Sequence, residues 1–189
     1  MVKVACTVWS GENSETTSKS YLSLCVENIH KVIDPLFLDD LKDQITKFSI
    51  ANFAFNTSKR RNFLLNLQKK LSEIKILDPA CGSGNFLTES YISLRRIENL
   101  ILQELLGNQI TLGELDNSVK VSINQFFGIE INNFAVTVAQ TALWIAELKM
   151  KRETEAIVHR NLPLFPLQTQ ANIIEANALH VEWELGTRN

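Results

Sequence analysis

Two glycines stand close to an acidic residue in the segment ILDPACGSGNFL, residues 76–87. Because glycine has no Cβ, Gly82 and Gly84 allow the backbone to turn tightly and to approach a ligand closely. The Asp78 carboxylate accepts hydrogen bonds, so it suits a ligand amine or hydroxyl rather than a phosphate. The segment therefore predicts a loop that binds a small polar molecule.

Two common phosphate-binding motifs do not fit this loop. A dinucleotide fingerprint needs a third glycine shortly after the second, but Asn85, Phe86 and Leu87 follow Gly84. A Walker loop needs Gly-Lys-Ser or Gly-Lys-Thr, and the sequence contains neither. The remaining structural alternative is a glycine turn with no ligand.

Two later segments carry groups that match the first. Glu130, in FGIEIN, can accept hydrogen bonds from both hydroxyls of a ribose, although an acid after a strand can also be a solvated cap. In EANALHVEW, the Asn177 side chain can face the edge of a base, and the Ala178 backbone N–H can donate to a ring nitrogen. Together these groups fit a nucleoside with a charged tail and no phosphates, a description that matches S-adenosylmethionine.

The hydrophobic pattern places these residues where strands end. It predicts, in order, a strand at 74–78, a helix at 85–106, a strand at 125–131, a helix at 132–150, a connection at 151–171 and a strand with its following loop at 172–179. Strands joined by helical crossovers form parallel sheets, so we expect an α/β fold with about three parallel strands. Ligands of such sheets bind at the carboxyl ends of the strands.

Helices are expected before this sheet. The first 24 residues favour a short strand in VKVACTVW and then a polar loop, and we assign them no role. Apolar residues at helical spacing begin near Glu27, with a break or kink at Asp34-Pro35. A further helix is expected at 57–73, in the most basic stretch of the sequence. This stretch is either a solvated helix face or a surface near a DNA backbone. The expected domains are therefore a helical lead-in at 25–73 and a ligand-binding α/β half at 74–189.

The motifs resemble those of class I S-adenosylmethionine-dependent N6-adenine DNA methyltransferases, most closely the MmeI-like type IIG restriction-modification enzymes. DPACGSGNFL at 78–87 is similar to their first motif, FGIEINNFAVTVAQTALWIAE at 127–147 to their second, and NIIEANALHVEW at 172–183 to their third. The stretch ENIHKVIDPLFLDDLK at 27–42 resembles the helix that follows their tenth motif.

This resemblance implies a Rossmann-like fold, S-adenosylmethionine as cofactor and double-stranded DNA as substrate. The loop would line the methionine part, Glu130 would bind the ribose, Ile131 would pack on the adenine, and Asn177 and Ala178 would meet the adenine edge. Cys81, at the variable position of the loop, is interpreted as a packing residue. The full set implied to bind cofactor is Asp78, Pro79, Ala80, Cys81, Gly82, Ser83, Gly84, Asn85, Phe86, Glu130, Ile131, Asn177 and Ala178.

The catalytic motif of that family is not in the sequence. N6 methylation uses an Asn-or-Asp-Pro-Pro-aromatic motif, which holds the target amine and stacks on the flipped base. Here Pro35, Pro79, Pro163 and Pro166 are never adjacent, so no catalytic residue is named. We expect a methyltransferase piece that ends before this motif and is inactive alone. The alternatives are a noncatalytic module that needs a partner chain, and a decayed remnant.

An early end would have a structural consequence. In the family's sheet the strand carrying Asp78 pairs with the strand that bears the catalytic motif, so we expect its edge to be bare here. Bare edges favour pairing with another chain. We therefore expect self-association, or a complementing chain, at this edge.

Composition limits the remaining classes. Lysine and arginine number 19 against 21 acidic residues, a net charge of −2, so any contact with DNA must come from a local patch. The three cysteines and three histidines lack metal-ligand spacing, so no metal site is expected. There is no apolar run of membrane length and no signal-peptide pattern, and we expect a cytoplasmic protein without membrane contact.

Overall fold

The sheet contains four parallel strands in the order β1-β2-β3-β4, and helices pack against it. The structure is a computed structural model that describes residues 2–4, 18–50, 57–106, 119–159 and 171–181. Its elements are β1 (Val2–Val4), α1 (Ser18–Ile33), a π-helical turn (Asp34–Leu38), α2 (Asp39–Ile50), α3 (Thr57–Glu73), β2 (Lys75–Asp78), α4 (Asn85–Leu106), a 3-10 turn (Ile123–Gln125), β3 (Phe126–Glu130), α5 (Asn133–Val158) and β4 (Asn172–Glu175). The expected α/β fold with parallel strands is confirmed.

The helical lead-in is distorted where proline was expected to disturb it. A π-helical turn over Asp34–Leu38 contains Pro35 near its start and separates α1 from α2. Proline cannot donate the usual helical hydrogen bond, and wider turns accommodate that loss. The prediction of a polar loop in the later part of the first 24 residues is wrong at its end, because α1 begins at Ser18. Serine is well tolerated at a helix start, where side-chain oxygens can accept from free backbone N–H groups.

A histidine fastens this lead-in to α4. The imidazole of His30 contacts Asp34 Oδ1 through Nδ1 at 3.0 Å and Glu89 Oε1 through Nε2 at 3.1 Å. The hydrogen bond to Asp34 raises the pKa of His30 above its usual 6.5, and the contact with Glu89 acts in the same direction. The imidazole therefore links α1 to the first turns of α4 through both of its nitrogens.

The edge of β2 that was expected to be bare is occupied. β1 pairs with it in parallel, with Val2 opposite Lys75 and Val4 opposite Leu77. The prediction of an open edge is therefore wrong for these residues. The β-branched residues at positions 2 and 4 suit a strand, and pairing satisfies backbone groups of β2 that would otherwise face solvent. The loop expected after this strand, at 5–17, lies outside the described residues.

Helices α4 and α5 cover one face of the sheet. The rings of Tyr91 on α4 and Phe126 on β3 meet edge to face with centroids 5.5 Å apart. α5 runs to Val158, so the predicted connection at 151–171 is wrong for its first eight residues. Those residues are charged but include strong helix formers, and Thr154 and Val158 among them are buried. The described helices include none that is long and apolar enough to cross a membrane.

A buried polar network joins α3, α4 and α5. Arg95 forms an ion pair with Glu98 on the same helix, and both side chains are almost fully buried. Arg95 also donates to Thr154 Oγ1 at 2.7 Å, while Glu98 Oε1 accepts from Gln68 at 2.9 Å and from Lys120 N at 2.7 Å. Because Glu98 satisfies both a buried guanidinium and backbone N–H groups, it fixes the packing of α4 in the core.

We expect Glu98→Gln to lower the free energy of unfolding by about 3–5 kcal/mol, because it removes the carboxylate that is paired with the buried Arg95 guanidinium. The matched control is Glu104→Gln, also on α4, which removes an exposed ion pair with Arg60 and should cost at most about 1 kcal/mol. Urea unfolding of both variants measures the difference. Equal losses of unfolding free energy would show that the buried ion pair contributes no more to stability than the exposed one.

Candidate functional site

The loop between β2 and α4 is tied to the neighbouring strand. Cys81 N donates to Ile129 O of β3 at 3.1 Å, and Gly84 N turns back to Cys81 O at 2.8 Å. The buried Asp78 carboxylate accepts from Ala80 N through Oδ1 at 3.1 Å. These bonds hold the loop as a compact turn at the carboxyl end of β2.

The two glycines of the loop differ in what surrounds them. Gly84 has φ +77°, and a Cβ there would lie 2.8 Å from the Cβ of Ala139 on α5. Gly82 has φ +51°, and a Cβ there would meet nothing within 4 Å. Gly84 is therefore required by packing between the loop and α5, whereas Gly82 borders open space.

Glu130 connects this loop to the next strand-helix junction. Its Oε2 accepts from Gly82 N at 2.9 Å, and its Oε1 accepts from Asn132 N at 3.0 Å. Asn132 then caps α5, accepting from Phe134 N at 3.0 Å and from Ala135 N at 3.4 Å. A carboxylate has about four lone-pair positions, so these two bonds leave acceptor capacity for ligand hydroxyls.

The third junction adjoins the second. Ala176 N donates to Glu130 O at 2.9 Å, which brings the residues after β4 to the same edge. Asn177 Oδ1 accepts from Leu179 N at 3.0 Å within its own turn, so its side-chain NH₂ group is the part that suits a base edge. Ala178 follows in the same turn and is partly buried.

The predicted site residues fall into buried, partly exposed and exposed groups. The buried ones support the loop from below and are Asp78, Cys81, Gly84 and Phe86. The exposed residues at the edge are Ala80, Ser83, Asn85, Ile131 and Asn177, whereas Pro79, Gly82 and Glu130 are partly exposed. Ile131 is 70% exposed, so its side chain presents an apolar surface beside Glu130.

Cys81 is a buried thiol rather than a reactive one. Burial raises its pKa to about 12, and the negative charges of Asp78 and Glu130 act in the same direction. Its sulfur lies 2.8 Å from where a Cβ on Gly128 would stand, so Gly128 in β3 makes room for it. This geometry agrees with the interpretation of Cys81 as a packing residue.

Sequence reasoning missed three residues that shape the site. Gly128 accommodates Cys81, Ala139 lies against Gly84, and Asn132 caps α5 while donating to Glu130. Asn132 had a readable signal, since asparagine before an apolar periodic run is a common helix cap. The contacts of Gly128 and Ala139 join segments far apart in the chain, and no local pattern reports them.

A known protein family matches the part of the chain that contains these residues. The family model described as "MmeI, DNA-methyltransferase domain" matches residues 53–188. The chain belongs to this family. The match includes the ends of β2, β3 and β4, so the expected resemblance to the methyltransferase region of MmeI-like restriction-modification enzymes is confirmed.

Relatives of this family member are much longer proteins. DNA methyltransferase A of Bacillus subtilis is 44% identical over 173 residues, which cover 88% of this chain and 18% of the relative. A putative type II restriction enzyme and methyltransferase of Methanocaldococcus jannaschii is 27% identical over 125 residues, covering 60% of this chain and 10% of the relative.

A solved structure agrees with the fold. The type IIL restriction-modification enzyme MmeI, solved in complex with DNA, is similar with a TM-score of 0.71 and 36% identity. The match covers 83% of this chain and 20% of that one. The chain therefore spans about a fifth of the length of the Bacillus subtilis relative and of the MmeI chain.

We expect Gly84→Ala to destabilise this family member more than Gly82→Ala. Both alanines would adopt a strained positive φ, at about 1–2 kcal/mol each, but only the one at position 84 would also collide with Ala139, at roughly 1–3 kcal/mol more. Thermal unfolding of the two variants tests this order. A Gly82→Ala variant as unstable as Gly84→Ala would contradict the assigned contact.

Proposed function

We propose that the chain binds S-adenosylmethionine at the edge formed by the carboxyl ends of β2, β3 and β4 and the residues that follow them. The observation that carries this proposal is Glu130, whose carboxylate contacts the glycine loop and the start of α5 and retains acceptor capacity. A ribose beside it would donate its two hydroxyls to these oxygens. Ile131, directly after Glu130, offers an apolar surface for the adenine ring.

The charges of the edge suit the tail of this cofactor. The carboxyl groups of Asp78 and Glu130 both lie at the loop, where they accept from Ala80 N and Gly82 N. The methionine part carries an ammonium and a sulfonium, and both favour such surroundings. The open space beside Gly82 leaves room for the tail to approach the backbone. The residues present therefore fit this cofactor, which supplies the methyl group when bound.

The reaction proposed is methylation of adenine N6 in DNA, within a restriction-modification enzyme. Membership of a DNA-methyltransferase family supports DNA as the substrate, and the motif resemblance favours adenine. The 189 residues carry no Asn-or-Asp-Pro-Pro-aromatic motif, so we propose that they supply the cofactor site and depend on other residues for the target base. Lys59, Arg61, Lys69 and Lys70 are exposed on α3 and form a local basic surface for the DNA backbone.

We expect Glu130→Ala to weaken S-adenosylmethionine binding by about 10- to 150-fold, which corresponds to roughly 1.5–3 kcal/mol for hydrogen bonds to a charged group. Isothermal titration calorimetry measures the Kd. The Kd of Glu130→Gln should lie between those of the original chain and Glu130→Ala, because an amide keeps one acceptor oxygen. Glu175→Ala, at the end of the next strand, is the matched control and should bind like the original chain.

Two results would overturn the cofactor site. One is a cooperatively folded chain that shows no heat of binding at any S-adenosylmethionine concentration tested. The other is equal weakening by Glu130→Ala and Glu175→Ala, which would point to a general loss of structure. Thermal unfolding of each variant, run beside the titration, separates a lost contact from a lost fold.

We expect the 189-residue chain to transfer no methyl group to DNA by itself. A chimera should do so, in which residues 18–181 replace the matching stretch of the Bacillus subtilis relative, because the 44% identity makes the interfaces compatible. Mass spectrometry of digested DNA should then find N6-methyladenine, and Glu130→Ala in the chimera should reduce it. Methylcytosine as the product would overturn the adenine assignment. A chimera that binds cofactor and never methylates would favour a noncatalytic module.

A further inference from the structure

Helix α5 carries a second apolar stripe on the side away from the core. We call Phe134, Val138, Thr141, Ile145 and Leu148 the α5 seam. Their spacing alternates between four and three residues, the spacing of a coiled-coil contact. All five are exposed; Phe134 is 76% and Ile145 is 62% exposed.

The α5 seam does not contribute to the described core. The buried residues of α5 lie on another face of the helix and include Val136, Ala139, Leu143, Ala146 and Met150. A helix that needs only one apolar face for its own fold is usually polar elsewhere. A second stripe with helix-packing spacing therefore indicates a contact with another helix.

The α5 seam is nearly symmetric about Thr141, because Phe134 and Leu148 each lie seven residues from it, whereas Val138 lies three residues before it and Ile145 four after it. In an antiparallel arrangement of two copies, Phe134 of one lies opposite Leu148 of the other, and Val138 lies within one residue of the position opposite Ile145. Thr141 falls on the twofold axis, where the helices come closest and a small side chain is needed. Its hydroxyl already donates to Thr137 O at 2.8 Å, so burying it leaves no unpaired donor.

Charge at the two ends of α5 favours the same orientation. Lys149 and Arg152 are exposed near its C-terminal end, whereas Glu175 is exposed near its N-terminal end, where it accepts from Asn133. An antiparallel copy brings the basic end beside the acidic one. A parallel copy would instead place Lys149 beside Lys149. Self-complementary contacts of this kind are typical of twofold dimers.

We propose that the α5 seam is a docking surface for a second copy of this chain, paired antiparallel about Thr141. The contact is one pair of helices about 21 Å long, so it falls at the small end of specific interfaces and gives a weak, concentration-dependent dimer. It replaces the edge of β2 as the route to self-association, and its N-terminal end at Phe134 lies two residues from Asn132, beside the proposed cofactor edge.

Sedimentation equilibrium of the 189-residue chain tests the proposal. We expect Ile145→Glu to weaken dimerisation at least about 10-fold, because it places a charge in the apolar seam. Val138→Lys should do the same. The double variant Val138→Lys/Ile145→Glu should regain the dimer, since each new lysine then faces a new glutamate of the other copy. Circular dichroism confirms that each variant is folded.

Cysteine cross-linking tests the orientation. Thr141→Cys should form a disulfide-linked dimer under mild oxidation, because the two copies meet at this position. Leu148→Cys is the matched control on the same seam and should not, since its two copies lie about 21 Å apart, well beyond disulfide reach.

The outcomes separate clearly. A folded chain that stays monomeric at all concentrations overturns the proposal, and something other than a second copy would then contact the α5 seam. A dimer that Ile145→Glu leaves intact overturns it in favour of a different surface, such as the sheet edge. Failure of the double variant to recover the dimer, or cross-linking through Leu148→Cys, overturns the antiparallel pairing.

Discussion

The Glu130 carboxylate imposes the constraint on which the edge of the sheet depends. It accepts from Gly82 N in the loop after β2 and from Asn132 N before α5, and its backbone carbonyl accepts from Ala176 N after β4. One residue therefore touches all three junctions. A side-chain change at this position removes the bonds to the loop and to Asn132 but keeps the backbone bond to Ala176, which is why its variants are compared with a matched glutamate on the next strand.

Support for this edge comes from beneath it. α4 begins at the glycine loop, packs on β3 through Tyr91, and carries Arg95 and Glu98 into the core beside α3 and α5. Buried ion pairs of this kind hold elements in one relative position because any other position leaves a charge uncompensated. His30 extends the same support to the lead-in through Glu89. The loop is thus attached to a helix that has little freedom to move.

Sequence patterns predicted those parts of the fold that depend on neighbouring residues. The bounds of α3 and α4 followed from helical spacing, and the three junctions followed from a change of period next to glycine or an acid. The prediction for residues 151–158 was wrong because charge suggested a connection, while buried Thr154 contacts Arg95 and Asn99 on another helix. The burial of Arg95 and Glu98 was likewise unreadable, since apart from each other their partners Gln68, Lys120 and Thr154 lie in other parts of the chain.

The parallel pairing of β1 has a consequence for the order of folding. Val2 pairs with Lys75, Ile76 with Phe126, and Phe127 with Asn172, so each strand pair joins residues several tens of positions apart. Contacts of such long sequence separation require large loops to close first, which slows folding. During synthesis β1 must wait until β2 has been made, and β4 can pair only after β3 has been made. Until then, the edges of β2 and β3 are accessible to chaperones or to other chains.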